Sequence, residues 1–262
     1  MAKTICFTNQ KGGVGKTASA QQLICYLASR GKKVLAIDLD AQWNLSMMFG
    51  LNSADYEADG TMAGKTIYQL MKGKGVGELI VNAKENIDFI CGSVLVANAD
   101  REFAMVNGYT MVRDAVSQVK RKYDYVIIDC PPTCSLMTVN GLIAADGIVI
   151  PYKADSLTKA GVIQLKETID AVKKSFNSKL KVFGILVTMF DKRTNASKNS
   201  VMDAGEVASL FGCGVFESKI RVSSKMRELA DEGKSIFELA PNSPAAVDYG
   251  AFCEELIKEL EK

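Results

Sequence analysis

The residues best suited to chemistry lie near the amino terminus, in the run Gln10-Lys11-Gly12-Gly13-Val14-Gly15-Lys16-Thr17. Glycines let the backbone turn tightly and aim its N–H groups inward, a geometry that cradles phosphate oxygens. Lys16 is spaced to reach β- and γ-phosphates, and the Thr17 hydroxyl is spaced to ligate Mg²⁺. A helix that starts at such a loop adds the positive end of its dipole. Gly12, Gly13, Val14, Gly15, Lys16, Thr17 and Ala18 are therefore the expected nucleotide-binding run. The common form of this loop begins with glycine. Here Gln10 holds that position, and Lys11 adds a second lysine.

Two further groups of acids could serve a metal ion or a water molecule. Val34-Leu35-Ala36-Ile37-Asp38-Leu39-Asp40 reads as a strand that ends in two carboxylates, which a period of two places on one side of the pleat. Tyr125-Val126-Ile127-Ile128-Asp129 is a second apolar run ending in an acid, and Asp129 is expected near Mg²⁺. The chain has no histidine. Its chemistry must therefore run on carboxylates, lysines, hydroxyls and backbone.

These groups need strand ends and helix starts to position them, and the hydrophobic pattern supplies both. Strands are expected at Ile5–Thr8, Val34–Leu39, Ile87–Cys91, Tyr125–Asp129, Gly147–Pro151 and Val182–Thr188. Helices are expected at Ala18–Ser29, Tyr109–Lys122, Leu157–Phe176, Ala196–Phe211 and Ala245–Glu261, with one more between Asp129 and Gly147. The stretch Asn52–Gly77 reads as a connection with a short helix at Thr66–Met71. Strand and helix alternating in this way imply an α/β fold, a mostly parallel twisted sheet with helices on both faces. Ligands of such sheets bind at the carboxyl ends of strands. The 262 residues, 48% hydrophobic and 24% charged, fit one domain over residues 1–262. The net charge of +2 announces no polyanionic partner, so any such surface must be local. The seven cysteines form no CxxC pair and read as buried, reduced thiols. No apolar run reaches transmembrane length, no secretory leader is visible, and a cytoplasmic location is expected.

The string KGGVGKT, the paired acids Asp38 and Asp40 and the segment Asp129-Cys130-Pro131-Pro132 together resemble the ParA/Soj/MinD family of P-loop ATPases. The likeness is to the short ParA/Soj partition members. It extends through Thr66-Ile67-Tyr68-Gln69-Leu70, Asn86-Ile87-Asp88-Phe89-Ile90, Thr188-Met189-Phe190-Asp191 and Asn242-Ser243-Pro244-Ala245-Ala246. The resemblance implies a deviant Walker A loop on a P-loop NTPase fold of the SIMIBI type, with ATP and Mg²⁺ as cofactors. It implies that Lys11 reaches across an ATP-dependent homodimer to the partner's nucleotide. A cation there acts much as an arginine finger does, an effect worth about 10³ to 10⁵ in rate. The resemblance makes Lys11, Lys16 and Asp40 catalytic, with Asp40 positioning the attacking water. It makes Thr17, Asp38 and Asp129 the metal residues, with Asp38 supporting the metal's water shell. The Cys-Pro-Pro segment is expected to sense the γ-phosphate.

The same resemblance places Met189 and Asp191 beside adenine. Met189 stands where guanine-reading proteins carry lysine, which favours ATP; Asp191 also reads as a helix cap. Family members bind DNA without sequence preference through basic residues at the positions of Arg193 and Lys225. Lys192, Lys219, Arg221 and Arg227 extend that run, although Glu217, Glu228, Asp231 and Glu232 interrupt it. A solvated charged face is the other reading. A ParB-like or other stimulating protein is the expected partner, and a DNA-bound form would associate with the nucleoid. The acidic last helix argues against a membrane anchor, and the cysteine placement argues against an iron–sulfur cluster. One departure is notable. The family continues Pro-Gln-Gly-Asn after the paired acids, and this chain has Ala41-Gln42-Trp43-Asn44. Trp43, the only tryptophan, is then either a surface aromatic or a dimer or partner contact. Two functions follow: a DNA-partition ATPase, or a regulatory or positioning switch that binds a protein instead of DNA.

Overall fold

Seven short stretches, most of them apolar, pair into one sheet in the computed structural model, which describes residues 1–51, 64–104, 106–153 and 159–261. They are β1 (Lys3–Phe7), β2 (Val34–Asp38), β3 (Val81–Lys84), β4 (Ile87–Ile90), β5 (Tyr125–Asp129), β6 (Gly147–Tyr152) and β7 (Lys181–Val187). Their spatial order is β3-β4-β2-β5-β1-β6-β7. Every neighbouring pair is parallel except β3 with β4. Parallel strands are covered on both faces, so they read as continuous apolar runs. All five residues of β2 and all six of β6 are buried.

Alternate residues feed two cores. On one face Leu35, Ile37, Val126, Ile128, Ile148 and Ile150 pack with residues of the helices Met111–Val119, Leu136–Ala144 and Lys159–Ser175. On the other, Ile5, Phe7, Ala36, Ile127 and Val149 pack with the helices Lys16–Ser29 and Pro244–Leu260. The fold is thus the expected α/β sheet with helices on both faces.

Several boundaries move for identifiable reasons. The first helix begins at Lys16, not Ala18, because Gly15 turns through φ 83 and delivers the loop straight into the first helical turn. It ends at Ser29 with Arg30 as its C-cap and Gly31 at φ 73, as expected of a glycine after a helix. The expected helix Tyr109–Lys122 is shorter, Met111–Val119, and is bracketed by 3₁₀ turns at Val106–Tyr109 and Lys120–Lys122. Tight terminal turns of this kind are common. β3 was not expected. It is an antiparallel edge strand with one buried residue, joined to β4 through a turn in which Asn86 sits at φ 61. Within the expected connection Asn52–Gly77, residues 52–63 lie outside the described residues, while helices form at Ile67–Met71 and Val76–Leu79. The expected helix start at Leu157 also lies outside them, and the helix is described from Lys159.

Beyond β7 the chain returns along that strand's outer edge. Ile185 N–H donates to the Gly214 carbonyl at 3.0 Å, Phe216 N–H to Ile185 at 3.0 Å and Ile220 N–H to Val187 at 2.9 Å. Phe190 and Val222 continue the exchange at 2.8 and 3.2 Å. Among the described residues no helix is long and apolar enough to cross a membrane.

Candidate active site

The carboxyl ends of β1, β2, β5 and β7 converge on the loop that follows β1. Two side chains pin this loop from neighbouring strands. Asn9, fully buried, donates to the Pro151 carbonyl at 2.7 Å and accepts the Lys11 N–H at 3.0 Å. Thr188, just past β7, donates its hydroxyl to the Val14 carbonyl at 2.9 Å. Gly13 and Gly15 hold φ of 70 and 83, which a side chain would strain. A Cβ on Gly12 or Gly13 would meet nothing within 4 Å, so space lies open over the loop. The helix Lys16–Ser29 starts there without a side-chain cap. Its first N–H groups and dipole therefore face the cradle.

Lys16 is buried, and its ammonium donates to the Lys11 carbonyl at 3.0 Å. Burial pulls its pKa down, against the opposing pull of Asp129 and Asp40. Thr17 donates its hydroxyl to Asp129 Oδ2 at 2.6 Å. Asp129 Oδ1 is buried with no protein hydrogen-bond partner among the described residues. Burial, then the charge of Asp38, pushes the Asp129 carboxyl well above the usual range, while the Thr17 bond and Lys16 oppose. Asp38 and Asp129 are paired in register on adjacent strands. A fully buried carboxylate with one orphaned oxygen and a hydroxyl beside it is costly unless a cation or hydrated cation neutralises it. The pair Thr17 and Asp129 thus fits a hard, oxygen-preferring divalent ion.

Asp38 is placed differently. Its carboxylate is fully buried and accepts from Asp40 N–H at 3.1 Å and from the N–H and hydroxyl of Ser46 at 2.9 and 2.8 Å. Burial pushes it up to about 6 despite those bonds. Asp40 is mostly buried, and its Oδ1 accepts the Gln42 N–H at 3.0 Å. Between this loop and the segment after Asp129 lies a groove of about 530 Å³, lined by Asp40, Gln42, Asp100, Pro132, Ser135 and Gln164. A larger cavity, about 770 Å³, lies elsewhere, between β7 and the last helix.

Lys11 and Gly12 are exposed at the mouth of the loop, and Ala18 is half-buried in the first helical turn. Met189 is 39% exposed at φ 51. Asp191 does not cap the next helix; Thr194 does, accepting from Ser197 N–H at 3.2 Å. Instead the Asp191 carboxylate is gripped by the Arg193 guanidinium at 2.7 and 2.9 Å, which lowers it to about 2. Asp191, expected beside the base, and Arg193, expected to meet DNA, are therefore bonded to each other. Lys225 begins the helix Lys225–Glu232 and pairs with Glu228 at 2.8 Å, and Arg221 is held by Asp248 at 2.6 and 2.8 Å. The Phe190–Arg221 bridge brings the two basic segments to one edge. Arg227 and Asp231 have side chains outside the described set. All seven cysteines are free thiols, and Cys6 and Cys130 touch at 3.2 Å in the core.

Sequence reading missed Ser46, Gly92, Asn9 and Thr188. Thr188 and Asn9 stood at strand ends beside the loop, a usable signal. Ser46 and Gly92 carried none, because their meeting depends on the β2–β4 pairing.

A family model described as "AAA domain" matches residues 2–182. The sporulation initiation inhibitor protein Soj of Bacillus subtilis is 34% identical over 98% of both chains. The chromosome-partitioning ATPase Soj of Treponema pallidum is 33% identical, again over 98% of each. Among solved structures, cobyrinic acid a,c-diamide synthase of Mycobacterium smegmatis with bound ADP and magnesium superposes with a TM-score of 0.83. It is 26% identical and covers 100% of this chain and 96% of its own.

Proposed function

Because the chain belongs to the ParA/MinD-type family of P-loop ATPases, we propose that it is a partition ATPase whose bound ATP–Mg²⁺ permits dimerisation and DNA binding. The observation that carries the site assignment is the orphaned, buried Asp129 oxygen beside the Thr17 hydroxyl, under the Lys16 ammonium. In this reading the loop Gly12–Ala18 holds the phosphates and Lys16 exchanges the Lys11 carbonyl for a phosphate oxygen. Thr17 and Asp129 hold Mg²⁺, with Asp38 behind them. When bound, the ion neutralises the triphosphate and the two buried acids. Asp40 orients the attacking water, and Lys11, exposed at the mouth of the loop, reaches the partner subunit. Met189 and Asp191 lie toward the base. Turnover is slow until a stimulating protein, ParB-like in the partition reading, completes the site, which suits a timer. All of this is assigned to one domain, acting in the cytoplasm on the nucleoid.

Dimerisation would double a weak surface of Arg193 and Lys225 and raise DNA avidity. A second reading, a switch that docks a protein, is favoured by the internal pairing of Arg193, Arg221 and Lys225 with acids. Light scattering coupled to size exclusion on Asp40→Ala separates the two. ATP–Mg²⁺ but not ADP–Mg²⁺ is expected to give a dimer that co-elutes with duplex DNA at low salt and not at high salt. A dimer indifferent to DNA selects the protein-docking switch. Absence of any ATP-linked dimer removes the role given to Lys11.

A further inference from the structure

The loop that carries Asp40 is fastened at both ends to a single carboxylate. Asp38 Oδ1 accepts the Asp40 N–H, and Asp38 Oδ2 accepts both the N–H and the hydroxyl of Ser46. The Ser46 oxygen in turn accepts the Gly92 N–H at 2.9 Å, just past the end of β4. Ser46 is 1% exposed and Asp38 fully buried, so this relay is shielded from water. The Ser46 hydroxyl accepts from Gly92 and donates to Asp38 through a single oxygen atom, which an alanine could not do.

Gly92 is also the floor on which the loop rests. A Cβ there would stand 2.9 Å from Trp43 Cβ, 3.0 Å from Asp38 Cγ and 3.0 Å from the Asp40 carbonyl oxygen. Two of these contacts are rigid parts of the loop. Trp43 itself sits at φ 41, where residues other than glycine and asparagine are rare. Its N–H closes the turn onto the Asp40 carbonyl at 3.0 Å. A backbone held in so unfavourable a conformation needs outside fixation, and the Asp38–Ser46–Gly92 relay supplies it.

We propose that Ser46 and Gly92 are positioning residues for hydrolysis: through Asp38 they fix the loop Asp40–Ser46 so that the Asp40 carboxylate faces the reacting phosphate. The proposal rests on the reading of Asp40 as the water-orienting acid. The relay also spans β2 and β4, so the order of the sheet, and not the loop alone, sets the acid's position.

Trp43 is the only tryptophan and lies within the clamped loop, so its fluorescence reports the loop in the nucleotide-free protein. In Ser46→Ala, acrylamide should quench Trp43 more efficiently than in wild type without any nucleotide present. Its kcat should fall about 10- to 100-fold with KM for ATP within about twofold, since a misplacement of ~1 Å costs ~10²-fold. Ser46→Thr keeps the hydroxyl and should restore both readouts. Gly92→Ala, which removes no hydrogen bond, should show the same pair of changes. Asp40→Ala is the control on the underlying reading. If Asp40→Ala turns over normally, the assignment of the acid fails. If Asp40→Ala is inactive while Ser46→Ala and Gly92→Ala keep wild-type kcat and quenching, the clamp is refuted and the acid stands. A loss in KM with unchanged kcat would equally overturn it.

Discussion

Asp38 offers a test in which opposing effects have been weighed. Three hydrogen bonds from Asp40 and Ser46 favour its charged form, and complete burial disfavours it. Burial wins, and the carboxyl moves from 3.8 to about 6. The folded protein therefore binds a proton that the unfolded chain has released across that window. Stability must fall as pH rises from about 4 to about 6, at up to about 1.4 kcal/mol per pH unit, and the total for two units is about 3 kcal/mol. The perturbation is Asp38→Asn. Asparagine can still accept from Ser46, but its amide faces the Asp40 N–H, a fixed cost that does not depend on pH. Urea unfolding of the nucleotide-free proteins, followed by far-ultraviolet circular dichroism from pH 4 to 7, gives the two stability curves. Wild-type stability minus that of Asp38→Asn should decline by roughly 2 kcal/mol from pH 4 to 7, the rest of the ~3 kcal/mol having been lost below pH 4, and should level off above about pH 6. Asp129 is present in both proteins, so the difference isolates Asp38 together with its repulsion of Asp129. A flat difference, or one that rises with pH, would refute the reasoning. It would mean that the hydrogen bonds outweigh burial and that Asp38 is ionised in the fold at or below its ordinary pKa.

Two further expectations concern the loop and the basic edge. Lys16→Ala should fold normally yet lose the stabilisation that ATP–Mg²⁺ gives wild type, about 2.7 kcal/mol at a hundredfold excess over Kd, in a thermal-shift titration. Asp191→Ala releases the Arg193 guanidinium from its ion pair. If that edge contacts DNA, affinity for non-specific duplex should rise and the log–log salt slope steepen by about one; unchanged affinity and slope would place the contact elsewhere.

The phosphate loop was legible because its chemistry is local: the glycines, Lys16 and Thr17 are contiguous and their spacing has one common use. The strands carrying Asp38 and Asp129 were legible because buried parallel strands are uniformly apolar and end abruptly. β3 was not legible, since Val81-Asn82-Ala83-Lys84 is only four residues long, too short for its alternation to stand out, and buries only Val81. The basic run after Ile220 read as one patch, but Arg221 finds Asp248 at the start of the last helix, 27 residues later. Only tertiary packing reveals that neutralisation. Trp43 stood out as an oddity of composition, whereas its left-handed backbone depends on the fastening between Asp38, Ser46 and Gly92.

The segment that returns along β7 has a bearing on how copies of this chain can associate. From Ile185 onward it uses the outward hydrogen-bonding groups of that strand, so this part of the edge offers no template to an incoming strand. At the far side the sheet ends in β3, four residues long and with a register shift in its pairing with β4. Both margins of the sheet are thus poor sites for growth by strand addition. Assemblies of this molecule should therefore form through side chains on its faces and loops and not by extending the sheet.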